Sequence, residues 1–181
     1  APFRVIDPLT IPAPRSTLQR SLAASLLARQ IRPAIRETGL RAPVMWTSLP
    51  TAIDVVDRLG SPSLVYYCGD DFSALAGVDH DTVAKREAEL RRRADLVIAA
   101  SESLVARHAM AYPRLLTHGV DIGLFSRAAP RAEDLPADGA PVAGFYGSIS
   151  EWLDLDLLLE VITRCADWHF VFIGRPVIDT R

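Results

Sequence analysis

The apolar residues of this chain come in short unbroken runs rather than in alternation with polar ones, and that pattern restricts the fold most. FRVI (3–6), PVMWTS (43–48), SLVYYC (63–68), DLVIAAS (95–101), RLLTHG (114–119), VAGFYG (142–147) and WHFVFIG (168–174) each have the length of a buried strand. Helix-like segments fall between most of them, roughly at 16–38, 49–59, 81–93, 102–111 and 154–166. Strands without polar alternation, separated by helices, predict a parallel sheet covered on both faces. The fold class is therefore α/β, a Rossmann-like doubly wound parallel sheet. Ser16, Asp81 and Ser101 are expected N-caps, and Gly39 and Gly60 stand where C-caps belong. Pro33 is expected to kink or divide the first helix.

One segment breaks this rhythm. SRAAPRAEDLPADGAP (126–141) is rich in Pro, Ala and Asp without apolar periodicity, and reads as a linker. Residues 1–125 then form most of one Rossmann-like domain, and residues 142–181 begin a second. A lone β-α-β cannot close a core, so the sequence reads as a piece of a longer protein. The abrupt opening on APFRVID carries the same expectation for the N-terminus. Net charge is −2, which gives no global basic field for nucleic acid. Cys68 and Cys165 lack metal-ligand spacing, so free buried thiols in a reducing, cytoplasmic compartment are expected. No apolar run has the length of a bilayer span.

The sharpest local signal is LVYYCGDDFSAL (64–75), two adjacent carboxylates at the end of an apolar strand. A polymerase GDD needs a second strand directly after the turn, whereas FSALAGVDHDTVAKREAEL turns into a charged helix. A phosphoreceiver needs a phosphorylatable Asp after a later strand, where this chain has Ser101. Asp70 or Asp71 can simply cap the next helical turn, which explains one carboxylate better than two. Ligands of open α/β sheets bind outside the carboxyl ends of strands, where both aspartates lie. The triplets DHD (79–81) and DLD (154–156) each start a helix, where carboxylates cap the first turn, so neither is read as a metal site.

The order YYCGDDFSAL, AKREAELRRRADLVIAASESL, THGVDIGLF, VAGFYGSISEWLDLDLL and WHFVFIGRP resembles a family of bacterial glycosyltransferases. These are two-domain GT-B enzymes of the group 1, family 4 type, similar to teichuronic-acid and surface-polysaccharide transferases. The resemblance implies transfer of a sugar from a nucleotide diphosphate donor to a glycan or lipid-linked acceptor, with no cofactor beyond the nucleotide sugar and no nucleic-acid partner. It implies an acceptor-side first domain, a donor-side second domain, and reaction in the cleft. Asp70 and Asp71 would then serve catalysis by binding sugar hydroxyls or positioning the acceptor. Ser101, at the next strand-to-helix turn, would bind substrate or merely cap its helix. His118 and Gly119, in THGVD where the family has NGVD, would line the cleft or only form a turn. Gly147 and Ser148 in GFYGSIS would take the donor diphosphate, helped by Gly174 and Arg175 in IGRP. The chain departs from the family in placing Ser148, Glu151 and Asp154 where an Arg and a Lys usually follow the glycine. The family's later acidic motif would lie beyond Arg181, so this piece alone is expected to be inactive. A catalytically silent nucleotide- or glycan-binding module remains the alternative.

The stretch RQIRPAIRETGLR (29–41) is locally basic. On a helical wheel Arg29, Arg32 and Arg36 share one face and Leu27, Ile31 and Ile35 the opposite one. Two readings stand: a surface helix packing its apolar side on the sheet, or arginines that also meet anionic lipid headgroups.

Overall fold

A computed structural model describes residues 3–75 and 78–177. The chain divides into two compact units, Ala1–Gly119 and Val120–Arg181. The boundary lies a few residues before the expected 125. Residues 126–141 carry no helix or strand and group with the second unit.

In the first unit the order is α1 (Thr17–Glu37), β1 (Val44–Thr47), α2 (Ile53–Val56) between short 3-10 turns, β2 (Ser63–Cys68), α3 (His80–Arg93), β3 (Leu96–Ala99), α4 (Glu102–Arg107) and β4 (Arg114–Leu115). The four strands form one parallel sheet in chain order, β1-β2-β3-β4. Leu64, Tyr66 and Cys68 alternate inward along β2. They share a core with Val97 and Ala99 of β3, Leu90 of α3, Leu104 of α4 and Ile53 and Val56 of α2. The other side of the same strands is less covered than the apolar runs predict. Val65 and Tyr67 are half-buried, and Val44 and Trp46 are exposed.

The chain is thus α/β with parallel sheets, compatible with a Rossmann-like fold. Three local expectations need correction. Residues 3–6 form no strand. The N-terminal segment instead lies along α1, where Gln30 accepts from the Leu9 N–H and donates to the Leu9 carbonyl. Pro8, Pro12 and Pro14 withhold the donors that strand pairing needs. α1 runs unbroken through Pro33, which is exposed, so solvent can take the bond that the Arg29 carbonyl loses. Asp79, not Asp81, caps α3, because its side chain reaches the Thr82 N–H. Ser16 and Ser101 cap as expected, and Gly39 and Gly60 adopt positive φ after their helices.

The second unit holds α5 (Ile122–Phe125), β5 (Val142–Tyr146), α6 (Leu155–Arg164) and β6 (His169–Ile173). β5 and β6 pair in parallel. Asp121 and Asp154 cap α5 and α6, so the DLD triplet does structural work through its first carboxylate.

Candidate functional site

In the first unit, the candidate residues gather where β2, β3 and β4 end. Asp71 is engaged by the protein itself. Its Oδ1 accepts from the Ser73 N–H at 3.0 Å and the Ser73 hydroxyl at 2.7 Å, and its Oδ2 pairs with Arg107 at 2.6 Å. Those hydroxyl and guanidinium contacts hold the Asp71 carboxyl below the usual range. Arg107 sits in the last turn of α4 and also donates to Ser73 Oγ. Arg107 thus balances the charge of Asp71. The partner comes from the helix after the neighbouring strand, 36 residues away. Asp70 differs. It is exposed, its Oδ1 accepts only the Asp71 N–H at 2.8 Å, and among the described residues no cation pairs with it.

Beside Asp70, Gly69 permits a tight approach. A Cβ there would stand 3.3 Å from Tyr67 Cε1 and 3.9 Å from His118 Cε1. Tyr67 stacks on Trp46 at 5.8 Å, and its hydroxyl meets His118 Nδ1 at 3.1 Å. An exposed indole, a phenol and an imidazole are thus contiguous, and the unpaired Asp70 carboxylate follows three residues after Tyr67 in the turn beyond β2. Nothing in the sequence links Trp46 to Tyr67: β1 pairs Trp46 with Val65, and Tyr67, two residues further along β2, reaches it diagonally. Gly119 is exposed next to His118. Ser101 acts as a cap: its Oγ accepts from the Leu104 N–H and contacts Ser103 Oγ at 2.9 Å.

Beneath the aspartates lies a buried polar cluster that the sequence did not disclose. The Tyr66 hydroxyl donates to Glu87 Oε1 at 2.6 Å, Cys68 Sγ lies 3.3 Å from His108 Nε2, and Arg91 approaches His108 Nδ1 at 2.8 Å. Cys68, Glu87 and His108 could together hold a metal ion, with edges of 3.3, 3.9 and 3.6 Å. Arg91 argues against it. A metal on Nε2 places a proton on Nδ1, which must then find an acceptor, whereas Arg91 offers only donors. With Nδ1 accepting from Arg91, Nε2–H points to Cys68 and the thiol donates to the Asp70 carbonyl. The cluster is therefore a hydrogen-bonded relay that pins the start of the GDD turn.

Burial depresses the His108 pKa. The Arg91 and Arg107 charges act the same way, and with burial they prevail over Glu87 and Asp71, which pull the other way. Burial likewise raises the Cys68 thiol. A histidine kept neutral when folded binds fewer protons than in the unfolded chain. Stability is therefore lost as pH falls below the unfolded value of about 6.5 toward the lower folded value. Urea midpoints measured across that window should fall for the wild type and fall less for His108→Gln. Equal slopes would contradict this account.

In the second unit Gly147 and Gly174 meet. A Cβ on Gly174 would sit 1.7 Å from the Gly147 carbonyl oxygen, so glycine is required there by backbone packing. The Gly147 N–H donates to the Ile173 carbonyl and is not free to cradle a phosphate. Ser148 and Arg175 are exposed, and the buried Ser150 hydroxyl has no partner among the described residues.

Compared with protein-family models and with curated proteins, the chain matches none.

Proposed function

We propose that this chain belongs to a nucleotide-sugar-dependent glycosyltransferase of the two-domain GT-B kind, with its first unit on the acceptor side. The observation that carries the reading is the unpaired, exposed Asp70 carboxylate just past the carboxyl end of β2, the same end at which Tyr67, Trp46 and His118 pack together. Aromatic rings suit the C–H faces of a sugar, and a carboxylate suits its hydroxyls. In the reaction the bond from the sugar's anomeric carbon to the diphosphate breaks, and a bond to the acceptor oxygen forms. The diphosphate leaves with the electron pair of the broken bond, and the acceptor proton passes to that diphosphate or to solvent. Asp70 would hold the acceptor hydroxyl in line, with Asp71 and Arg107 fixing the turn. Exposed Ser148 and Arg175 would meet the donor, and cytoplasmic placement follows from the nucleotide-sugar supply.

A second reading, a binding module without turnover, draws on two observations. Asp71 is neutralised internally, and Gly147 spends its N–H in the strand ladder. Calorimetric titration of the native protein with a panel of nucleoside diphosphate sugars tests both. Saturable heat with at least one donor is expected, and silence across the panel would overturn the transferase reading and the nucleotide-binding form of the second.

A further inference from the structure

The contacts around His118 decide which of its ring nitrogens carries the proton. The Tyr67 hydroxyl lies 3.1 Å from His118 Nδ1 and 3.4 Å from the Leu116 carbonyl oxygen. A phenol has one proton to give, and a carbonyl oxygen only accepts. Both contacts are satisfied in a single arrangement: Tyr67 donates to Leu116, and its oxygen accepts from Nδ1–H. The imidazole then keeps its lone pair on Nε2, which has no partner among the described residues. The ring is exposed and stands edge-on to Tyr67, at 73° with centroids 6.0 Å apart. Its Cε1, bonded to Nε2, faces Gly69, where a Cβ would come within 3.9 Å. The lone pair is thus offered beside the residue that precedes Asp70.

Neighbouring groups are poorer bases. Asp71 is committed to Ser73 and Arg107. His108 is buried, with Nδ1 on Arg91 and Nε2 on Cys68. An ordinary carboxylate, the side chain Asp70 offers, holds a proton roughly a few hundredfold less tightly than an ordinary imidazole. We propose that His118 is the general base of the transfer, a role that rests on the transferase reading. Nε2 takes the proton of the acceptor hydroxyl while that oxygen bonds to the anomeric carbon and the diphosphate leaves with its electron pair. The imidazolium then releases the proton to solvent, so none passes to the diphosphate. Asp70 holds the same hydroxyl in line. Tyr67 is a positioning residue, because its hydroxyl fixes the tautomer.

Two measurements test the proposal. Long-range proton–nitrogen NMR of the native protein at about pH 8, where an ordinary imidazole is neutral, reads the tautomer without turnover. His118→Asn assigns the signal, and Nε2 should be the unprotonated nitrogen. A proton on Nε2 instead overturns the proposal, whatever the protein transfers. In the second measurement, nucleoside diphosphate release should fall about a hundredfold or more in His118→Asn, with donor affinity in calorimetry unchanged. Added imidazole should restore part of that loss, as no merely structural turn would allow. Tyr67→Phe should lose less and gain nothing from imidazole. Wild-type release in His118→Asn, or a loss that imidazole leaves untouched, removes the base role while the transferase reading stands. A wild type that releases no diphosphate from any donor and acceptor overturns that reading and the base role with it.

Discussion

Asp70→Asn should lower turnover of the native protein roughly tenfold to a hundredfold, because a charged hydrogen bond to substrate contributes about 1.5–3 kcal/mol. Its denaturation midpoint should stay where it is. The one contact Asp70 makes in the fold is an acceptor contact to the Asp71 N–H, and the Asn carbonyl can accept that proton equally well. What the substitution removes is the charge facing solvent. Asp71→Asn provides the contrast. Asn keeps the turn to Ser73 but gives up the ion pair with Arg107, whose groups are more than a third exposed. A stability loss of less than about 1 kcal/mol is expected there, since exposed pairs contribute little. The kinetic loss for Asp71→Asn should be smaller than that for Asp70→Asn. The reverse ranking would contradict the role given to Asp70, and full activity in both variants would make the aspartates scaffolding.

Gly174→Ala should unfold the second unit locally. The new methyl would overlap the Gly147 carbonyl oxygen, and no side-chain rotation relieves a clash with backbone. The strands must part beyond their ends. That breaks the bonds from Gly147 N to Ile173 O, Ile149 N to Arg175 O and Val177 N to Ile149 O. At about 1 kcal/mol each, the loss is on the order of 3 kcal/mol. Trp152 and Trp168 report on this unit and Trp46 on the other. Denaturant titration followed by fluorescence in a Trp46→Phe background therefore isolates the effect. An unchanged midpoint would mean that the close approach of the two glycines is wrong.

Much of the fold was legible because buried parallel strands announce themselves as continuous apolar runs, as SLVYYC and HFVFI do. FRVI misled because an apolar run becomes a strand only beside a free edge with donors of its own, and the prolines after it oppose that. The candidate site was legible in part. The GDD turn marks the carboxyl end of β2 by local sequence. By contrast, the Arg107 partner of Asp71 depends on a contact across 36 residues. The relay of Tyr66, Cys68, Glu87, Arg91 and His108 was hidden for the same reason. Glu87 and Arg91 sit in a helix so charged that nothing in the string separates inward from outward groups. Only the packing of α3 on β2 turns Glu87 inward, and His108 follows α4 into the same space.

The most direct test of sugar transfer is nucleoside diphosphate release from a panel of nucleotide sugars with glycan acceptors, comparing wild type with Asp70→Asn. The account predicts release from at least one donor, falling roughly tenfold to a hundredfold in the variant. A donor bound in calorimetry but never cleaved, with any acceptor, would contradict it and leave a binding module.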